Sequence, residues 1–298
     1  MKLATTTGDY LSYIDSQLEA LTHIRKAGFH YADYGFRADY QNGTGAFSRD
    51  YRRYFDEVRQ HTEKIGIQLV QAHAPMGKPL DDGGALLEAT LRCVDACGAW
   101  EIPNLVVHSG YVQGLSKEET FLRNREFFLP ILERAERYGL NILVENFNRM
   151  SREGLYWIDN APDLLAMIEC VDHPLFHAVW DTGHGNMQNM PQDEALRLLG
   201  SHVRAVHIQD NMGDFDTHLV PFLGSLNLDS VMHGLLEIGY SGYFTFEVGR
   251  FFTPAEKRRP YAGDQRLAAA PLELRDAFEA YLYALGRIIL EKYGCFEE

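Results

Sequence analysis

The sequence of 298 residues contains few cysteines, no long hydrophobic run and fewer basic than acidic residues. The 4 cysteines include no CxxC pair, and Cys93 and Cys97 share one predicted helix, which indicates reduced thiols that fill the core. No stretch of about 18 or more apolar residues occurs, which excludes a transmembrane helix. The first residues also contain no apolar segment of signal-peptide length. We therefore expect a cytoplasmic protein without a membrane partner.

Positive charge is scarce. Lys and Arg total 28 against 42 for Asp and Glu, so the net charge is −14. Because nucleic acids are bound through clustered cations, this balance argues against a nucleic-acid partner. The exception is the Lys-Arg-Arg run at 257–259, which is either a solvated turn or an anchor for a phosphate or carboxylate group.

A linker between domains is also lacking. The length permits two domains of about 150 residues each or one large α/β barrel with insertions. No break in composition and no Pro/Gly/Ser-rich stretch divides the chain, so we expect a single domain over residues 1–298. No GxGxxG motif follows the first predicted strand, which lowers the case for a dinucleotide-binding fold.

Short apolar runs recur at long intervals, and several stay apolar until their last one or two residues, as parallel strands covered on both faces do. They predict eight strands, at 3–7, 31–36, 69–74, 105–108, 142–145, 178–181, 205–208 and 244–248. Helical patterns lie between them, at 10–27, 50–65, 86–99, 117–138, 162–170, 193–199, 228–238 and 272–293. Eight alternating units favour the α/β class and a single closed (β/α)8 TIM barrel.

Ionisable residues close six consecutive predicted strands. They are His73, His108, Glu145, Asp181, His207 and Glu247. In a closed barrel these strand ends converge on the axis, next to the long loops at 37–48, 148–160, 209–227 and 249–271, where barrel enzymes build their active sites. Converging carboxylates and imidazoles are costly to bury unless a cation neutralises them, so the pattern predicts a divalent metal.

Several of these residues have ordinary structural explanations when each is taken alone. His73 or His108 could be a hydrogen-bonded core histidine, and Asp181 could cap the turn that follows it. Glu145 and Glu247 are the hardest to explain as structure, because each closes an apolar β run. Aromatic residues near the strand ends could form apolar pocket walls or be ordinary barrel packing; they are Phe36, Trp180, Phe251 and Phe252.

At these positions the chain resembles the xylose isomerase-like barrel superfamily, which includes sugar isomerases, ketose 3-epimerases, inosose dehydratases and the endonuclease IV group. The resemblance runs from residue 3 to about residue 248. Its specific parts are His-Ala-Pro at His73, Glu-Asn at Glu145, Asp-Thr-Gly-His at 181–184, the Asp-x-His at 216–218 followed by Gly224, and Glu247.

The similarity to ketose 3-epimerases implies one divalent metal, most often manganese, with cobalt, magnesium or zinc as alternatives. The implied ligands are Glu145, Asp181, His207 and Glu247. Glu145 and Glu247 would also be the catalytic acid/base pair. Substrate oxygens would be bound by His73, His108, His184, Asp216 and His218. The endonuclease IV group implies instead three zinc ions held by these same nine residues.

The resemblance implies a divalent-metal-dependent sugar isomerase or epimerase that removes an α proton through a metal-stabilised enediolate. A lyase or dehydratase acting on a keto-sugar or 3-keto-glycoside would begin with the same proton abstraction and stays open. A zinc phosphodiesterase acting on abasic DNA is less favoured, because the loop at 211–227 contains no Lys or Arg. A barrel that only binds sugar is favoured least.

The last predicted helix carries an apolar stripe. It could pack on a neighbouring copy in a homo-oligomer, or it could lie on the barrel's own sheet. The second alternative is favoured.

Overall fold

A computed structural model describes residues 1–80, 83–147, 158–249, 259, 262–263 and 269–298. The parallel strands form one closed barrel in sequence order, and the last strand pairs with the first. They are β1 Lys2–Thr6, β2 Tyr31–Gly35, β3 Gln68–His73, β4 Asn104–Val107, β5 Asn141–Glu145, β6 Phe176–Asp181, β7 Val203–Ile208 and β8 Tyr243–Phe246. The (β/α)8 prediction is confirmed.

Helices surround this barrel. They are α1 Gln17–Ala27, α2 Arg37–Asn42, α3 Tyr51–Ile65, α4 Ala85–Ala99, α5 Lys117–Ala135, α6 Ala161–Val171, α7 Thr182–Asn186, α8 Gln192–Leu199, α9 Leu228–Glu237 and α10 Leu272–Lys292. Within the described part of the chain, no helix has the length and apolar character needed to cross a membrane. All 4 cysteines are free, and Cys93 and Cys97 are buried, as predicted.

Local capping explains where the helices begin. The predicted capping box at α5 is present, since the Ser116 backbone N–H donates to Glu119 (2.8 Å) and the Glu119 N–H donates back to the Ser116 hydroxyl (3.2 Å). The first helix was predicted over 10–27 but begins at Gln17, because Ser16 caps it by accepting from the Glu19 N–H (3.3 Å). The segment predicted as a loop at 37–48 contains α2.

The barrel interior has an apolar layer below its polar end. Val106, Leu143, Val179 and Ala205 form a separate buried cluster. Each of the four precedes one of the ionisable residues by two positions in the sequence. Side chains two positions apart on a strand point to the same face. The ionisable side chains therefore form the next layer toward the C-terminal ends of the strands.

Two aromatic residues considered as pocket walls belong to the outer core instead. Phe36 is buried and stacks on Trp100, with ring centroids 5.8 Å apart. Trp180 is buried and its indole N–H donates to Gln192 (2.7 Å). Of the two alternatives, ordinary barrel packing therefore holds for both residues, and neither lines the cavity. Phe251 and Phe252, like Lys257 and Arg258, lie outside the described residues.

Helix α10 packs on its own barrel, as the favoured alternative predicted. Leu282, Ile289 and Leu290 are buried within the main core. Gly286 faces the barrel so closely that a Cβ there would lie 2.5 Å from Cδ2 of Leu3 and 2.7 Å from Cε2 of Phe246. The apolar stripe of this helix is therefore covered by β1 and β8.

Replacing Gly286 by alanine should lower the free energy of unfolding by about 1–3 kcal/mol, because the added methyl overpacks this contact. Urea unfolding measures the change. Ala284→Ser, at an exposed position of the same helix, should change stability by less than about 0.5 kcal/mol. Equal stability of Gly286→Ala and the unmodified protein would contradict the close packing of α10.

Candidate metal centre

Four side chains meet at the C-terminal end of the barrel. Glu145 ends β5, Asp181 ends β6, His207 lies on β7, and Glu247 directly follows β8. Each offers one ligand atom, and these four atoms lie within 4.8 Å of one another. The structure thus brings together the four residues that the resemblance proposed as metal ligands.

The five residues expected to bind substrate surround the same centre. His73, His108, His184, Asp216 and His218 all line a cavity of about 320 Å³, together with Glu145 and Glu247. Among the described residues there are three further three-ligand groups: His73 with His108 and Glu145, His184 with Asp216 and His218, and Asp33 with His73 and His207. Asp181 and His207 are not among the lining residues of this cavity, and both are fully buried.

Charges in the centre are strongly coupled. His207 Nδ1 lies 2.9 Å from Oε1 of Glu145 and 3.4 Å from Oε2 of Glu247. Burial lowers the pKa of His207, but these carboxylates outweigh burial and raise that pKa to about 10. Burial raises the pKa of Glu247 to about 7, despite the nearby imidazoles. Burial would also raise the pKa of Glu145, but His207 holds it below its ordinary value. The two glutamates therefore differ in proton affinity.

The donor set fits a divalent cation. Oε2 of Glu145 has no hydrogen-bond partner among the residues that the structure describes, although the residue is only 1% exposed. A buried carboxylate oxygen without a partner is costly, and a bound cation would satisfy it. Three carboxylates and one imidazole are ligands suited to manganese, magnesium, cobalt or zinc.

Asp181 has a structural role as well as a place in the centre. Its side chain caps α7 by accepting from the His184 N–H (2.6 Å). Asn146 fixes the strand end, since its side chain accepts from the Asp181 N–H (2.8 Å) and donates to the Asp181 carbonyl (3.0 Å). The Asp-Thr-Gly-His segment therefore places an aspartate and a histidine on one tight turn.

Buried amides support the centre, and the sequence reasoning did not identify them. The side-chain nitrogen of Gln71 lies 2.6 Å from Nε2 of His207, so that Nδ1 of His207 faces the glutamates. The same nitrogen donates to Asp33 (3.3 Å). Gln209 donates to Asp181 (3.2 Å) and Asp216 (3.0 Å). Gln71 lies two residues before His73, and Gln209 lies two residues after His207. Because side chains two positions apart on a strand point to the same face, this spacing could have identified both amides as neighbours of the site.

The loop after β7 is organised by Asp210. Its buried carboxylate accepts backbone N–H bonds of 2.8–3.1 Å from Asn211, Phe222, Gly224 and Leu226. At Gly224 a Cβ would lie 2.2 Å from Oδ1 of Asp210, so only glycine fits there. This arrangement holds the loop segment that carries Asp216 and His218 over the centre.

Asp210→Ala should lower the free energy of unfolding by about 3 kcal/mol or more, because several buried N–H groups lose a charged acceptor. Urea unfolding measures this loss. Asp214→Ala, at an exposed position of the same loop, should change stability by less than about 0.5 kcal/mol. If the two variants were equally stable, Asp210 would not organise this loop.

Comparison with known proteins agrees with the fold. Residues 21–266 match the family described as xylose isomerase-like TIM barrel. An uncharacterised protein of Methanocaldococcus jannaschii is 31% identical over 216 residues, 69% of this chain and 71% of that protein. Fructoselysine 3-epimerase of Escherichia coli O157:H7 is 24% identical over 189 residues, 63% of this chain and 61% of the epimerase.

Solved structures of low identity share the fold. A D-psicose 3-epimerase crystallised in the presence of D-fructose superposes with a TM-score of 0.74 at 17% identity, covering 97% of this chain and 99% of that one. An AP endonuclease of family 2 from Brucella melitensis superposes with a TM-score of 0.67 at 17% identity, covering 84% and 93%. Fold similarity alone therefore does not separate sugar chemistry from phosphodiester chemistry.

Proposed function

The chain belongs to the xylose isomerase-like TIM barrel family, and we propose that it is a divalent-metal-dependent sugar isomerase or epimerase. The observation that carries this proposal is the pair Glu145 and Glu247, which line one cavity and, with Asp181 and His207, offer ligand atoms within 4.8 Å of one another. A cavity of about 320 Å³ is at the lower end of the range for small-molecule sites, consistent with a sugar. Sugar 3-epimerases among the relatives support the same substrate class.

The ligands of the cation would be Glu145, Asp181, His207 and Glu247. When bound, a divalent cation supplies Lewis-acid polarisation of a substrate carbonyl. Glu247 lines the cavity, and its carboxylate is placed to act as a general base. It takes the α proton, and the electron pair of the broken C–H bond moves toward the carbonyl oxygen. Glu145, which its lowered pKa keeps ionised at rest, takes up a proton from solvent and returns it to the opposite face of that carbon. Glu247 then releases the abstracted proton to solvent.

The remaining pocket residues orient the sugar. Burial lowers the pKa of His73, so its imidazole is neutral and can both donate to and accept from a hydroxyl group. His73 and His108 face each other with their Nε2 atoms 2.8 Å apart. The ring of Phe147 lies 5.1 Å from that of His108 and 4.5 Å from that of His184, which supplies an apolar wall against water.

Product analysis tests the proposal. The metal-loaded protein is incubated with D-psicose, D-tagatose, D-fructose and a 3-keto-glycoside, and products are separated by chromatography. We expect interconversion of an isomer or epimer pair. Release of the glycosidic group from the 3-keto-glycoside, without an epimer, would establish the lyase alternative instead. Unchanged substrates in every case would overturn both.

One observation favours a second candidate, a zinc phosphodiesterase acting on abasic DNA. The further three-ligand groups beside the centre exceed what one metal ion requires. Metal analysis separates the candidates. About three zinc ions per chain together with cleavage of an abasic duplex would support the phosphodiesterase, whereas one manganese, cobalt or magnesium ion and intact DNA would support sugar chemistry.

A further inference from the structure

The hydrogen-bond ladder of the β7–β8 pair ends at Glu247. The Glu247 N–H donates to the Ile208 carbonyl of β7 (3.1 Å), which is the last bond of that pair. From there on the backbone is held by side chains: His218 donates to the Glu247 carbonyl (3.0 Å), and the backbone groups of the next residue are bonded as well. The segment that follows this glutamate therefore relies on side chains instead of a strand partner.

The peptide after Glu247 is held by two charged side chains from opposite ends of the sequence. The Val248 N–H donates to Oδ2 of Asp9 (3.1 Å), and Nη1 of Arg275 donates to the Val248 carbonyl (3.3 Å). Nη2 of the same guanidinium donates to Oδ2 of Asp9 (3.4 Å). Asp9, Val248 and Arg275 thus form a closed ring of contacts at the rim of the cavity, which Asp9 also lines.

Arg275 is itself fixed in place. Its side chain is 1% exposed, and it also pairs with the fully buried Glu279 one turn along α10. The guanidinium carbon lies 5.1 Å from the ring centroid of Tyr10 and 5.2 Å from that of Phe278. A planar, rigidly held fork can bond two acceptors at once, which a lysine cannot reproduce.

We propose that Arg275 is a positioning residue for Glu247: together with Asp9 it fixes the peptide that follows Glu247 and so sets where the Glu247 carboxylate lies in the cavity. This inference rests on the proposed function of Glu247 as metal ligand and base. A buried ion cluster contributes little to stability compared with apolar residues of similar volume. The bonds of Asp9 and Arg275 to the backbone of Val248, on either side of that residue, give the cluster a role that packing alone does not.

The test replaces the Arg275–Glu279 pair while keeping the volume, in Arg275→Met/Glu279→Leu. This change leaves the buried Asp9 without its cation, so the melting temperature should fall, and kcat and Mn²⁺ affinity are compared at a temperature where both proteins are folded. A misplaced catalytic group should lower kcat by about 10- to 100-fold with little change in KM. Calorimetric titration with Mn²⁺ should show affinity about 10-fold weaker, as for other residues that support a ligand.

Glu279→Gln is the matched control, because it disturbs the pair but leaves Arg275 bonded to Val248. It should keep kcat and the Mn²⁺ affinity. The proposal is overturned if the double variant keeps both values, or if Glu279→Gln loses as much as the double variant. Should the double variant not fold, Arg275→Lys makes the same comparison, since it keeps a cation beside Asp9 but lacks the second nitrogen of the planar guanidinium fork.

Failure of the proposed function would be seen separately. If the unmodified protein converts no sugar, the assignment of the reaction fails, but the Mn²⁺ titrations still decide whether Arg275 positions Glu247. If the unmodified protein is active and the double variant matches it in kcat and in Mn²⁺ affinity, only the role of Arg275 fails.

Discussion

Glu247→Gln is expected to lower kcat for sugar interconversion by about 10²- to 10⁴-fold, the range lost when a general acid or base is removed. Glutamine keeps the shape of the side chain but cannot take a proton. Glu145→Gln should have a loss of the same order, since the proposed reaction needs a group on each face of the carbon. Steady-state rates at saturating Mn²⁺ measure both losses, and metal analysis of each variant shows whether the ion is still bound.

Asp39→Asn is the control for loss of a buried carboxylate outside the cavity. Asp39 accepts from the Tyr34 hydroxyl (2.7 Å) and is not among the residues that line the cavity. It should reduce stability and leave kcat unchanged. A Glu247→Gln protein with its metal bound and a rate within a factor of about three of the unmodified protein would contradict the proposed base.

Removing the metal with a chelator should abolish activity and lower thermal stability. Adding Mn²⁺ to about 1,000 times its Kd should restore about 4 kcal/mol of stability, because the ion binds the folded state only. At one fixed Mn²⁺ concentration the gain should be larger at pH 8 than at pH 6, because the Kd falls as the pH rises. His207, with its pKa raised to about 10, and Glu247, with its pKa raised to about 7, must release protons to bind the ion, and proton release is easier at higher pH.

Thermal unfolding with chelator or Mn²⁺ at the two pH values measures this effect. Asp181→Asn, which removes one proposed ligand, should lose most of the Mn²⁺-dependent gain. Asp56→Asn, which changes an exposed aspartate on α3, should keep it. A gain that is equal in all three proteins would place the ion elsewhere.

The barrel and the residues of its centre could be predicted because two simple patterns coincide. Apolar runs with the spacing of parallel strands indicate the barrel, and ionisable residues at their ends indicate a shared site. The exact ends of strands and helices are harder to predict. The sequence predicts a strand at 105–108 that includes His108, but β4 ends at Val107. It also predicts that the first helix begins at residue 10, seven residues before Gln17. The end of β4 depends on ladder bonds to strands distant in the sequence, whereas α1 begins where the neighbouring Ser16 caps it.

The alternation of side chains along a strand predicts which aromatic residues point away from the site. Trp180 directly precedes Asp181, so the two side chains point to opposite faces of β6. Because Asp181 points into the barrel, Trp180 must point outward into the helical layer, where it is buried against Gln192. The same alternation places Gln71 beside His73 on the inner face.

The contacts that hold Glu247 could not be predicted from local patterns. Asp9 and Arg275 are separated by 266 positions and meet only because the barrel closes between β1 and β8. A buried arginine in an amphipathic helix is indistinguishable in sequence from one that lies along its surface. Closure of the barrel, which is a property of the whole chain, creates this part of the site.

Hydrogen exchange at the substrate carbon tests the proposed chemistry most directly. The metal-loaded protein is incubated in D₂O with the panel of ketoses and keto-glycosides, and proton NMR follows the signal of the hydrogen next to the carbonyl group. We predict that this signal is lost through exchange with solvent, and that Glu247→Gln, which removes the proposed base, prevents the loss. If no substrate exchanges with the metal bound, then both the isomerase and the lyase assignments are wrong.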